Sequence, residues 1–217
     1  MGTPLGRRRP DPAAALAQYR RRAQRYDLEL AVFEPIRIEA IAALQLRPGA
    51  TVLDVGCGTG LSFAPLRERI GPRGHIVGIE QSPDMLALAL QRVERQHWRH
   101  VELVGAPAAA ARLRGQADAA LFHFTHDILR DDAAIANVLA HLRSGARVVS
   151  SGLQWAPAWL WPTNAFVALA AVYSVTSLEG LARPWDKLAA RLSQLEVRTT
   201  WAGGVYIASG TYRGPVH

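Results

Sequence analysis

Apolar and polar positions follow two different periods along this chain. Tyr19, Ala23, Tyr26 and Leu30 recur at i, i+4, i+7 and i+11, which predicts an amphipathic helix from about Ala13, with Arg20, Arg21, Arg22 and Arg25 largely off that face. A second helix is expected over Phe33 to Leu44, closed by the turn signal Arg47-Pro48-Gly49. Short apolar runs then alternate with helical stretches. Thr51 to Val55, His75 to Glu80, His100 to Val104, Asp118 to Phe124 and Ala146 to Gly152 read as strands, the pattern of a parallel sheet with helices on both faces. Ser82-Pro83-Asp84 marks a helix start: a capping hydroxyl, a proline suited to the first helical position, and an acid at the positive end of the helix dipole. Asp131 or Asp132 starts another helix, with Gly145 beyond its end near Arg143. In the tail, Leu195 to Trp201 and Val205 to Ser209 flank Gly203-Gly204 and predict an antiparallel hairpin.

Composition narrows the class. A chain of 217 residues, 49% hydrophobic and 20% charged, fits one globular domain and excludes disorder throughout. The net charge of +7 suggests an anionic partner until it is divided along the chain. Residues 1–25 hold seven arginines against Asp11, or +6, and residues 26–217 hold only +1. The organisation expected is therefore a basic arm over 1–12 and a nearly neutral single domain over 13–217, with helices over 13–46 and an apolar cap over 153–190. Such an arm points to an anionic surface more than to nucleic acid as the substrate. Cys57 is the single cysteine, so no disulfide framework or cysteine-based zinc site can form, and no metal site is expected. No apolar run near the start has the length of a secretory signal, which predicts a cytoplasmic protein, in peripheral contact with a membrane if the arm engages one.

Between Arg147 and Glu179 lie 31 residues without a charge. Pro157 and Pro162 leave about 16 residues of continuous helix there, on the order of 24 Å against a bilayer core of about 30 Å, so a buried helix is expected rather than a span. Trp155, Trp159 and Trp161 would line a substrate pocket or touch a membrane surface.

The chemistry centres on Val52-Leu53-Asp54-Val55-Gly56-Cys57-Gly58-Thr59-Gly60, a strand running into alternate glycines and then a helix. Glycines there let backbone and ligand approach closely. Leu61 stands where a dinucleotide fingerprint needs its third glycine, and the Gly-Lys-Ser/Thr of a phosphate loop is absent. What remains suits a nucleoside that carries an amino acid. Glu80, about twenty residues on, ends the second strand where a carboxylate can accept two hydrogen bonds from a ribose diol.

These motifs, with Gly78-Ile79-Glu80-Gln81-Ser82-Pro83-Asp84-Met85-Leu86 and Gly145-Ala146-Arg147-Val148-Val149, resemble those of the class I S-adenosylmethionine-dependent methyltransferases. The resemblance implies an α/β Rossmann-like fold with a seven-stranded, mostly parallel sheet and one antiparallel strand, and S-adenosyl-L-methionine as cofactor. It implies that Gly56, Cys57, Gly58 and Gly60 shape the methionine pocket, that Asp54 orients the loop or the cofactor amine, that Glu80 holds the ribose, and that Gln81 and Met85 flank adenine. Many relatives place an acid after the glycine of the third strand. This chain has Gly105-Ala106, so adenine recognition there falls to backbone groups. A further likeness to bacterial small-molecule and phospholipid-headgroup N-methyltransferases rests on Tyr19, Tyr26-Asp27, the apolar cap, Arg183-Pro184-Trp185 and residues 204–210.

The end of the fourth strand, Phe122-His123-Phe124-Thr125-His126-Asp127, should face the glycine loop. Phe124 and Thr125 would border the cofactor. His126 with Asp127, or His123, can take the proton from an amine or hydroxyl acceptor, and Tyr19 and Tyr26 can reach the same cleft from one helical face. The function expected is methyl transfer to nitrogen, or oxygen, of a small molecule or lipid headgroup. The competing readings are an RNA or DNA methyltransferase and a non-catalytic cofactor-binding protein.

Overall fold

The computed structural model describes residues 31–174 and 180–214. The basic arm expected over 1–12 and the helix expected to carry Tyr19 and Tyr26 lie outside the described residues. Seven strands build one sheet: β1 (Thr51–Val55), β2 (His75–Glu80), β3 (Val101–Gly105), β4 (Ala117–His123), β5 (Leu142–Leu153), β6 (Leu192–Thr200) and β7 (Val205–Tyr212). Their order is β3-β2-β1-β4-β5-β7-β6. The first five are mutually parallel, and β7 runs antiparallel to both of its neighbours. The described helices are α1 (Glu34–Ala43), α2 (Phe63–Ile70), α3 (Pro83–Arg95), α4 (His126–Leu129), α5 (Asp132–Ala140), α6 (Trp161–Ser174) and α7 (Asp186–Ala189), with a 3-10 turn over Ala31–Phe33.

The strands read as continuous apolar runs because the central sheet is buried on both faces. Successive residues point to opposite sides, so β1 feeds two cores. Val52 packs in the core that holds Ile36, Ile41, Phe63, Leu66 and Ile70. Leu53 and Val55 pack in the other, with Ala134, Ile135, Val138 and Leu139 of α5. Each such aliphatic side chain contributes about 1.5–3 kcal/mol by leaving water. The helix starts follow their caps: Ser82 Oγ accepts the Met85 N–H at 3.4 Å, and Asp131 Oδ1 accepts those of Ala133 and Ala134 at 2.9 and 3.3 Å.

Strands β3 to β7 are shifted or extended relative to expectation, and the start of β5 departs furthest. The helix begun at Asp132 ends at Ala140 rather than near Arg143, and Gly145 lies inside β5. Ala117 pairs with Leu142 while Ala119 pairs with Arg147, so β5 carries three extra residues across this step. Gly145, at φ +85°, supplies the left-handed backbone that the bulge needs. An Arg143–Asp118 ion pair spans it. The uncharged stretch forms the end of β5 and the 14-residue α6; among the described residues no helix is long and apolar enough to cross a membrane.

Strand order reverses between β1 and β4, whose following segments leave toward opposite ends of the sheet. In an open parallel sheet the crevice beyond the carboxyl ends of such a strand pair is the place for a ligand.

Candidate active site

A cavity of about 750 Å³ occupies that crevice. Its wall combines the glycine loop after β1, the end of β2, the segment after β4, and side chains of α1 and α6.

The glycine loop is held from behind. The Gly56 and Cys57 N–H groups both donate to the Ile79 carbonyl, at 2.8 and 3.0 Å, and Arg92 Nε donates to the Thr59 carbonyl at 2.9 Å. Gly56 and Gly58 have φ of +72° and +57°, which glycine alone adopts without strain. Their surroundings differ. A Cβ on Gly56 would lie 2.5 Å from Thr125 Cγ2, whereas one on Gly58 would meet nothing within 4 Å. Gly56 thus lets the β4 segment close on the loop, and Gly58 leaves open space on the cavity side. Gly60 does not line the cavity; it makes room for the buried Phe63 ring.

Glu80 links the loop to α3. Its Oε2 accepts the Gly58 N–H at 3.0 Å and its Oε1 accepts the Ser82 N–H at 2.7 Å. Each oxygen retains a lone pair for a ligand hydroxyl. Gln81, Met85 and Ala106 continue the wall beyond Glu80, while Gly105 does not reach it and gives space to Leu86. The Ala106 N–H donates to the Val104 carbonyl at 3.1 Å, and residue 107 is proline without an N–H. The exposed Gln81 is the polar side chain at this end.

Asp54 is 1% exposed on the cavity wall, and its Oδ2 has no hydrogen-bond partner. Burial raises its pKa to about 7, against the pull of Arg37 and with a push from Glu80. Cys57 is also buried on the wall; desolvation, then Asp54 and Glu80, raise its thiol pKa far above neutrality, so it is no nucleophile.

Two imidazoles stand on the other side. His126 is 5% exposed, and its Nε2 donates to the Leu153 carbonyl at 2.8 Å. That bond fixes the tautomer, with a lone pair on Nδ1, which is buried and has no partner. Burial lowers the His126 pKa, with the Leu153 bond and the Asp127 carboxylate opposing. His123 holds Ser151 Oγ through Nδ1 at 2.8 Å, and its pKa is pushed down to about 3 by desolvation, then by Arg37 and His126. Both rings are therefore neutral at pH 7. Asp127 is exposed at the rim, and Phe124 and Thr125 line the wall.

Phe124 turns the chain out of β4 at φ +57°, an uncommon backbone for a bulky residue. Its ring packs on Phe33 at 4.6 Å between centroids, Phe33 stacks on Trp201 at 5.3 Å, and Phe166 of α6 approaches Trp201 at 6.2 Å. The half of the cavity away from Glu80 is thus walled by aromatic rings.

The structure brings Asp54, Gly56, Cys57, Gly58, Glu80, Gln81, Met85, Ala106, His123, Phe124, Thr125, His126 and Asp127 onto one cavity. Gly60 and Gly105 stand behind the wall, and Tyr19 and Tyr26 lie outside the described residues. Sequence reasoning missed Phe33, Phe166, Leu169 and above all Arg37, 2% exposed and ion-paired with Glu34. Arg37 had a signal: it sits on the apolar stripe of α1 between Ile36, Ala40 and Ile41, where a charge has no business unless it is used.

Residues 52–145, from β1 into β5, match the methyltransferase domain family. The protein-L-isoaspartate O-methyltransferase of Methanothrix thermoacetophila is 38% identical over 61 residues, 28% of this chain and 29% of that protein. The demethylmenaquinone methyltransferase of Listeria welshimeri is 35% identical over 68 residues, 31% of this chain and 29% of that protein. The matched stretches thus span less than a third of these relatives' own length. Among solved structures, the N-methyltransferase NodS of Bradyrhizobium japonicum superposes with a TM-score of 0.59 at 17% identity, over 84% of this chain and 97% of that one. The family match thus covers the glycine loop and the first four strands, and the likeness to NodS gives the described chain the fold of that methyltransferase. The cofactor that the resemblance of the motifs implies is S-adenosyl-L-methionine.

The residues present fit it. An orphaned carboxylate oxygen on Asp54 needs a donor such as an ammonium group, Gly58 leaves space, and Glu80 offers paired acceptors. The Asp54 pKa carries a prediction. Raised from 3.8 to about 7, it makes the folded state bind more protons than the unfolded state in that window, so stability is greatest below the lower value and falls as pH rises toward 7. Asp54→Asn should abolish that slope in pH-dependent thermal melts. A slope unchanged in the variant would contradict the assignment.

Proposed function

We propose that this chain transfers the methyl group of S-adenosylmethionine to a nitrogen or oxygen atom of a small, largely apolar acceptor or a lipid headgroup. One observation carries the reading: a single cavity joins a nucleoside-binding end, built by Glu80 and the glycine loop, to an aromatic chamber that contains a buried imidazole with an unpartnered nitrogen. The methyl acceptors of the relatives range from a protein residue to a quinone precursor by their names, so the acceptor rests on the chamber itself.

When bound, S-adenosylmethionine supplies an electrophilic sulfonium methyl. Asp54 would hold the cofactor's ammonium and Glu80 its ribose hydroxyls, and Gln81 and Met85 would border its adenine, with Gln81 as the side chain able to hydrogen bond. Phe33, Phe124 and Phe166 hold the acceptor and exclude water, which aligns the reactants and keeps the nucleophile desolvated. His126 takes the acceptor's proton at Nδ1 while the Leu153 carbonyl keeps its tautomer. His123 and Arg37 shape the floor of the chamber, and Asp127 marks its rim.

The His126→Ala variant should bind S-adenosylmethionine with unchanged affinity but turn over about 100-fold more slowly. Because the wild-type pKa is lowered, the acid limb of its rate profile should lie below the ordinary imidazole value of 6.5. Labelling a bacterial extract with the radioactive donor and isolating the labelled product identifies the acceptor; a profile and rate unchanged in the variant would remove His126 from the reaction.

A further inference from the structure

Helix α6 is inside out by the standards of a surface helix. Its described exposed positions, Trp161, Pro162, Ala165, Phe166 and Leu169, form one face without a polar side chain. Its amide, Asn164, points inward instead and brackets Ala156, accepting its N–H at 2.8 Å and donating to its carbonyl at 3.2 Å. Val167 anchors the opposite side in the core at 0% exposure. This orientation is therefore locked: the helix cannot roll to hide its apolar face without breaking the bracket.

The exposed apolar side chains are large. Trp159 is 76% exposed, Trp161 72% and Leu169 64%. Phe166 and Leu169 also line the cavity, as does Val32, 58% exposed at the start of the described chain. The apolar face is thus continuous with the mouth of the cavity. Exposed tryptophans at the start of an uncharged helix and just before it match the boundary between headgroups and acyl chains, where an apolar body and an indole N–H are both satisfied.

We propose that this face docks the mouth of the cavity onto an anionic lipid bilayer. Charge selects that occupant. The face itself carries no charge, while residues 1–31, which lead into Val32, carry seven arginines against Asp11, Asp27 and Glu29. Clustered arginines are drawn to anionic lipid headgroups, and neither an apolar face nor a basic segment alone gives strong attachment. The proposal concerns the surface and holds whether or not the cavity transfers a methyl group.

The test is sedimentation of the full chain with vesicles of phosphatidylcholine and phosphatidylglycerol, and with phosphatidylcholine alone, at low salt. The wild type should sediment with the anionic vesicles at least about tenfold more strongly than with the neutral ones. The double variant Trp159→Ser with Trp161→Ser should lose about tenfold in partitioning, yet bind S-adenosylmethionine in calorimetry as the wild type does, which shows that it folds. Replacing the seven arginines with serine should abolish the preference for anionic lipid. Equal sedimentation of the tryptophan variant, or none by the wild type, overturns the proposal. So does a stable dimer in light scattering that shields both tryptophans without lipid, because a second copy would then occupy the face.

Discussion

Glu80→Ala should weaken S-adenosylmethionine binding by about 100-fold or more. The reasoning is additive over the carboxylate's partners. Hydrogen bonds to a charged group contribute about 1.5–3 kcal/mol each, so loss of two ribose contacts costs about 3 kcal/mol or more, and each 1.4 kcal/mol is tenfold in affinity. The variant also strips acceptors from the Gly58 and Ser82 N–H groups, which loosens the loop from the start of α3. Glu80→Gln sharpens the point. An amide has one acceptor oxygen, so one of those two N–H groups would face an NH2, and the variant should bind within about tenfold of the alanine variant rather than near the wild type. Titration calorimetry of the three proteins reads this directly, and wild-type affinity in Glu80→Ala would remove the ribose assignment.

The glycine loop gives the second large effect, split between two neighbours. In Gly60→Ala the new Cβ would lie 2.4 Å from Phe63 Cε2 and 2.6 Å from Cδ2, on a ring that is itself fully buried, at φ +78°. Ring and loop must both move, and a stability loss of about 3 kcal/mol or more is expected, some 10 °C in Tm for a chain of this size. In Gly58→Ala the Cβ meets open space, so the cost is that of a left-handed alanine, about 1–2 kcal/mol. Its methyl group projects beside the cavity, and the variant should remain folded while losing most of its cofactor affinity. Thermal melts and calorimetry on both variants check the contrast. The reverse ranking, with Gly58→Ala the less stable, would contradict the roles given to these two positions.

How far the sequence could be read depended on local punctuation. β1 and β2 were legible to the residue because Pro48-Gly49, the glycine loop and Ser82-Pro83 bound them with residues whose backbone chemistry stops a strand or starts a helix. β5 was less so: its three-residue bulge pairs through backbone, and Gly145 reads equally well as a helix terminator. Asp54 was found because it stands at the end of β1 just ahead of the glycine loop, and Glu80 because it closes β2 beside the same loop. Arg37 was passed over, since a helical arginine is ordinarily a solvated one, although its place on the apolar stripe with Ile36, Ala40 and Ile41 marked it as buried. The apolar face of α6 was visible as uncharged composition, but which side it presents is decided by Asn164 and Val167, contacts far below what periodicity reports. The aromatic chamber belongs to the same class, for Phe33, Phe166 and Trp201 meet only in three dimensions.

Titrating S-adenosylmethionine into the wild-type protein by calorimetry, in two buffers of different ionisation enthalpy near pH 7, is the most direct test. Saturable binding at one site is expected, with protons released as the cofactor's ammonium draws Asp54 from a pKa near 7 into its ionised form. The absence of any binding at millimolar cofactor would contradict the account at its root.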